Sequence, residues 1–597
     1  MRTLALLALL LLPFFAAAAL PPDLVELARQ IERFPSTKGS GTESARLKRF
    51  FDLYWDASMR QSPDYATYIG YPGVDDRLPD RSAEAERFAE RLQRQEIAAL
   101  ASIDRARLTP GEQLSYDLLQ RQFDMAVEAE RFQGGYVLVT SMSNNITALL
   151  ELIGYMPART QKDYENMLAR LRAFPPIVDL GIAKLEEGRK RGLTPPRVTL
   201  QRVADQVMST GDAALEPFQK MPETIPAAER ERLQRTATEL VQKEIKPSLE
   251  KLRDYLAKTY VPNARESIAV SDLPDGKALY AYRLRMFTTT SLTPDEIYDL
   301  GVSEVKRIRG EIDAVIASTG FKGTYQEFCD YLRTDPRFFY EKPEDILTGY
   351  RDIAKRVDPE LINLFGRLPR LPYGIKAMES ETNPSALYSN GTLAGGRAGF
   401  MLVNTFDLKA RPKWAMESLF LHEGVPGHHL QYSLVEELGE LPEWRKWDVY
   451  PVFGEGWGLY AESLGGELGL YKDPYSKFGA LNNEIWRAMR LVLDVGLHVK
   501  GWTREQAVAY CRANSAKTER EIENEVNRYI VSPGAVPAYK IGELKIKELR
   551  RYAEKTLGAK FDIRAFHDQI LGVGQLPLDI LEARIKAWVA TQRTDAH

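Results

Sequence analysis

Behind Thr293 the apolar residues Val305, Ile308, Ile312 and Val315 recur every three to four positions, with Lys, Arg and Glu between them. That spacing lays one apolar stripe along an α-helix and does not suit a strand, whose faces alternate every second residue. The same organisation runs through much of the chain. Thr109-Pro110-Gly111-Glu112 and Thr293-Pro294-Asp295-Glu296 each supply a capping Thr, a Pro at the first helical position and a Glu that reaches back; Thr503 with Gln506 supplies a third start. Charged periodic stretches at 81–103, 160–190 and 226–258 read as surface helices, with Pro247 expected to kink or divide the last. Strand signals are few, the best being Gly399–Thr405 after the turn Gly391–Gly396. The expected fold is mainly α: a large two-lobed helical body with a small β element near the active site. Pro262, Pro274 and Gly276 mark a soft division between an N-terminal helical lobe at 20–265 and a C-terminal catalytic lobe at 266–597, with one continuous domain as the alternative.

At 597 residues more than one core is expected. A net charge of −3 without a basic tract gives no reason to expect nucleic acid or an anionic membrane as partner. Residues 1–19 differ from the rest. Arg2, the apolar run Leu4–Phe15 and the small residues Ala16–Ala19 read as a secretory signal peptide, which implies an extracytoplasmic protein, periplasmic or secreted. No Cys near the expected cut supports a lipid anchor. The two cysteines, Cys329 and Cys511, exclude a disulfide framework and a four-cysteine zinc site, although they could pair with each other.

The chemistry concentrates in His422-Glu423-Gly424-Val425-Pro426-Gly427-His428-His429, which holds three of the six histidines of the chain. Imidazole is the commonest metal-binding side chain, and a Glu beside it is the usual base toward water at such an ion. Zinc-peptidase histidines usually stand four apart on one helix face, whereas here they stand six and seven apart. Seven helical residues advance about 10 Å, too far for one ion. Pro426-Gly427 can break the helix and shorten the path. His422 with His428 is the preferred pair, because looping out two residues restores a one-turn relation; His429 stays open as the second ligand. Downstream, Glu455 and Glu462 stand seven apart on one helix face, with Glu455 as third ligand and Glu462 as the carboxylate that orients an imidazole. One Zn2+ per chain follows.

The stretches HEGVPGHHLQY, FGEGWGLYAE, Phe400–Thr405 with its Gly-rich approach, and RYIVSPGAVPAYKIG resemble the bacterial family called domain of unknown function 885, over most of the chain. The resemblance implies a metallopeptidase distantly similar to the helical gluzincins, with a deep substrate channel that admits short peptides. Two features depart from pattern: the insertion between the histidines, and Ala535-Val536-Pro537 where a Gln-containing Pro-Gly turn is common. On this reading a zinc-activated water attacks the peptide bond, Glu423 is the catalytic base, and Tyr529 and Tyr539 are candidate donors to the oxyanion. Arg397 and Asn404 flank a segment that could hold a peptide by strand addition. Arg487, Arg490, Asp494 and His498 form a polar stripe at i, i+3, i+7 and i+11, and Arg487, Arg490, Arg528 and Lys540 are candidates for a peptide carboxylate. The expected function is a secreted zinc peptidase on short peptides, of carboxypeptidase or dipeptidyl-carboxypeptidase type. The alternatives are a zinc amidohydrolase on other amides and a non-catalytic extracytoplasmic binding protein.

Overall fold

The computed structural model describes residues 20–132, 134–378, 384–393, 396–439 and 441–594. The signal-peptide reading, Gly395 and His597 lie outside them. The fold is mainly α with one three-stranded sheet, as the helical periodicity implies. No helix of the described residues is long and apolar enough to cross a membrane. The chain forms two compact units, neither a single run of sequence. One takes the chain up to Asp124 with Leu149–Leu180 and Gly211–Ser248; the other takes Met125–Ala148, Gly181–Thr210 and everything from Leu249.

Local signals act as expected. Thr109, Thr293 and Thr503 each accept a hydrogen bond from the backbone N–H three residues on, while Glu112, Glu296 and Gln506 reach back to the capping N–H. The helix beginning at Ala227 passes into a π-helical turn, Val241–Ile245, immediately before Lys246-Pro247. Pro247 has no N–H to donate, and the wider turn absorbs the break.

All residues discussed below belong to the second unit. Helix α1 (Pro294–Ser318) buries Val305, Ile308, Ile312 and Ile316 in a core shared with Ile485, Met489 and Leu493; Val315 packs at its rim. The sheet contains β1 (Tyr373–Met378), β2 (Ala386–Ser389) and β3 (Gly399–Asn404) in the order β1-β3-β2, with β1 parallel and β2 antiparallel to β3. β3 is therefore the central strand, paired on both sides. The expected addition of a peptide along Phe400–Asn404 is corrected: no edge is left there. Asn404 is fully buried, its amide donating to Pro384 O and accepting from Phe406 N–H, so it is a structural residue. Arg397 is exposed and closes a backbone bridge with Thr392.

Five further helices carry or back the candidate site. These are α2 (Met416–Glu423), α3 (His428–Glu436), α4 (Pro451–Ser463), α5 (Pro474–His498) and α6 (Glu519–Val531). A seventh, α7 (Ala538–Leu557), crosses α4 at two glycines. A Cβ on Gly456 would lie 2.6 Å from Gly542 Cα, and one on Gly542 would lie 1.9 Å from Val452 O. Backbone meets backbone, which only glycine permits. Cys329 and Cys511 are both free and buried in the α1–α5 core. Gly542→Val should lower the thermal unfolding midpoint, because overpacking costs about 1–3 kcal/mol; an unchanged midpoint would contradict the close crossing.

Candidate metal centre

Helix α2 ends on Glu423, and α3 begins on His428. Between them Gly424–Gly427 form a tight turn that contains a cis Val425–Pro426 bond. A Cβ on Gly427 would fall 2.0 Å from His422 O and 2.3 Å from Leu421 O. The returning chain thus presses against the end of α2 where no side chain fits. Trp457 on α4 holds the fold-back by donating its indole N–H to Pro426 O at 2.8 Å.

This turn brings His422 and His428 together, with ring centroids 4.7 Å apart and nearly perpendicular. Glu455 Oε2 lies 3.4 Å from His422 Nε2 and 3.6 Å from His428 Nε2. Their ligand atoms all lie within 4.8 Å of one another, as a shared metal ion requires. His429, the other candidate, points elsewhere. Its Nε2 lies 3.0 Å from Leu371 O and its Nδ1 lies 2.9 Å from the Tyr388 hydroxyl. That corrects the open alternative: both of its nitrogens are committed beside the sheet.

The surroundings of His422 fix its ring. Nδ1 donates to Glu462 Oε1 at 2.9 Å, which turns Nε2 toward the cluster. Gly458 leaves space for the imidazole, since a Cβ there would approach it to 2.7 Å. Glu462 is held in turn by the Ser418 hydroxyl and, at 3.2 Å, by Arg487 Nη2. Asn483 donates to Ser418 Oγ at 3.2 Å. Burial would raise the Glu462 carboxyl, but Arg487, His422 and Ser418 hold it below its ordinary range. Burial opposes protonation of His422, yet Glu455 and Glu462 raise it to about 9. Glu423, also buried, is pushed upward by desolvation, with His422 and His428 pulling the other way. A carboxylate raised in this way is a better proton acceptor than an exposed one.

Two tyrosines complete the cluster. Tyr539 lies beside Glu455, and burial together with that carboxylate raises its hydroxyl to about 12. Tyr432, absent from the sequence expectations, is buried near Gln575 and feels the Glu455 charge. Its ring lies 5.8 Å from that of His428, and its position one turn after His428 on the same helix was the available signal.

Other expectations are corrected by burial. Tyr529 is fully buried, its hydroxyl donating to Glu525 at 2.8 Å, so it is not available as an oxyanion donor. Lys540 is fully buried among Glu304, Glu484 and Glu543 and cannot take a peptide carboxylate. His498 has both nitrogens on backbone: Nδ1 accepts from Val270 N–H and Nε2 donates to Tyr529 O. Asp494 accepts from the Tyr280 hydroxyl and from Gly534 N–H, so the lower half of the stripe pins the turn that precedes α7. Arg487 reaches the cluster through Glu462, whereas Arg490 and Arg528 both bind Glu525.

A family model described as bacterial protein of unknown function (DUF885) matches residues 63–585, most of the chain. The chain belongs to this family. Among solved structures, the DUF885 chain is similar to the crystal structure of a "putative lipoprotein" from Colwellia psychrerythraea, at 25% identity and a TM-score of 0.84 over 92% of this chain and 100% of that one. A "putative lipoprotein of unknown function" from Shewanella oneidensis shares the fold at 19% identity and a TM-score of 0.70, over 90% of this chain and 99% of that one. No curated protein matches.

The buried His498 carries a pH signature. Burial lowers its pKa to about 4, the bond to Tyr529 O opposing this and Arg265 and Arg283 adding to it. Between about pH 6.5 and 4 the unfolded chain then binds more protons at this position than the folded one, so stability falls as pH falls, by about 1.4 kcal/mol per unit. His498→Gln, which can keep both backbone bonds, should flatten the pH dependence of the unfolding free energy by about that amount; an unchanged slope would contradict this placement.

Proposed function

We propose that this DUF885 protein is an extracytoplasmic zinc-dependent peptidase acting on short peptides. The observation that carries the reading is the convergence of His422, His428 and Glu455 with a second carboxylate, Glu423, directly beside the first histidine. Two imidazoles and one carboxylate match the donor set of one class of catalytic zinc sites. Further support comes from the fit of the pocket. Gly458 leaves room for the His422 ring, Glu462 directs Nε2 inward, and the buried His428 Nδ1 has no hydrogen-bond partner among the described residues. The location rests on the apolar N-terminal run and on the description of the Colwellia psychrerythraea relative.

His422, His428 and Glu455 would hold the ion. Bound there, zinc supplies Lewis acidity that polarises a carbonyl and acidifies water. Glu423 takes the proton of the attacking water and delivers it to the leaving amine, its raised pKa suiting both steps. Tyr539 donates its hydroxyl toward the oxygen on which negative charge grows. Glu462, anchored by Arg487 and Ser418, keeps His422 in one tautomer.

The test is metal analysis with peptide hydrolysis read by mass spectrometry. One zinc per chain and chelator-sensitive cleavage are expected. Glu423→Gln should retain zinc and lose about 10²- to 10⁴-fold in rate, the usual size of general-base catalysis. Undiminished cleavage by that variant would overturn the mechanism.

A further inference from the structure

Two of the four cations expected to meet a substrate carboxylate are already committed, Lys540 in its nest of carboxylates and Arg487 to Glu462. Arg490 and Arg528 are arranged differently. Both grip the single carboxylate of Glu525: Arg528 through Nε and Nη2 at 2.8 Å each, and Arg490 through Nη2 at 3.1 Å. The Tyr529 hydroxyl also donates to Glu525 but brings no charge. Two guanidiniums against one carboxylate leave the group one positive charge in excess. Arg490 is 6% exposed, and its buried Nη1 has no hydrogen-bond partner among the described residues. A buried charged donor without an acceptor is an unfavourable arrangement that an incoming anion relieves.

The position of this pair relative to the cluster gives the anion a meaning. Tyr539 stands between them. Its ring lies 4.3 Å from the Arg490 guanidinium, and its hydroxyl feels the charges of Glu455, Arg490 and Arg528. One tyrosine side chain therefore separates the excess positive charge from the His422–His428–Glu455 cluster. Arg528 retains partial exposure, as does Glu455, so neither end is sealed.

We propose that Arg490 and Arg528 form the subsite for the free C-terminal carboxylate of a peptide, so that the bond presented to Glu423 lies at a fixed short distance from the substrate's C-terminus. This rests on the peptidase reading and adds to it the substrate class: peptides with an unblocked C-terminus. A guanidinium offers paired N–H donors that match a carboxylate in plane, which an ammonium does not. Glu525 acts as a positioning residue, holding both guanidiniums.

The experiment uses the zinc-loaded full chain and two matched mixtures of hexapeptides, one with free C-terminal carboxylates and one with C-terminal amides. Cleavage rates and positions are read by mass spectrometry. The free acids should be cleaved about 100-fold faster, the worth of two charge-assisted hydrogen bonds, and at a constant distance from the C-terminus. In Arg528→Gln the acid-to-amide ratio should collapse toward one, with Arg528→Lys intermediate. Arg528 is chosen because it is partly exposed, whereas Arg490 is buried and its loss would leave a hole in the core. Equal cleavage of both mixtures, or an acid-to-amide ratio that survives in Arg528→Gln, overturns the subsite while leaving the peptidase reading intact. If neither mixture is cleaved, the peptidase reading fails, and equilibrium dialysis of the same mixtures against the Glu423→Gln protein decides the subsite. Retention of acids over amides that disappears on adding Arg528→Gln supports it, and equal retention overturns it.

Discussion

The backbone of Gly427 packs against the carbonyl oxygens of Leu421 and His422 at a distance that no side chain tolerates. Without that contact α2 and α3 would continue as one regular helix, with His422 and His428 on different faces and about 9 Å apart along its axis. With it, the two rings meet edge to face, both within reach of Glu455. Trp457 ties the same fold-back to α4, the helix that carries Glu455 and Glu462. One hydrogen bond therefore joins the element that brings the histidines together to the element that supplies the carboxylates.

Charge burial explains the ring of residues behind the cluster. A buried ion needs a partner. His422 has Glu462, Glu462 has Arg487 and Ser418, and Arg490 and Arg528 have Glu525. The same rule assigns Lys540 a purely structural place, since three carboxylates enclose it. The Gly456–Gly542 crossing is what lets α7 approach closely enough for Tyr539 to reach Glu455.

Where signals are local, the sequence is sufficient. Helix starts at Thr109, Thr293 and Thr503 depend on contacts three residues apart, and the break at Pro426-Gly427 depends on backbone chemistry of those two residues alone. The candidacy of His422 and Glu455 follows from spacing along the sequence. The choice between His428 and His429 does not, because Leu371 and Tyr388, which engage His429, are distant in sequence. Strands β1 and β2 are not legible locally: each finds its partner only through β3. The stripe Arg487–Arg490–Asp494–His498 was legible as one helix face, but spacing carries no information on depth. Asp494 and His498 prove to be fully buried, and Tyr529 and Asn404 fail as site residues for the same reason. For Tyr432 the one local signal is its place one turn after His428, and that place is shared by many core tyrosines.

The central proposal, that this fold-back builds a zinc site, is tested most directly by anomalous diffraction at the zinc edge from crystals of the zinc-loaded full chain. One peak is expected, bonded by His422 Nε2, His428 Nε2 and Glu455 at about 2.0–2.2 Å. A peak ligated by His429, a peak elsewhere in the molecule, or no peak at saturating zinc would contradict it.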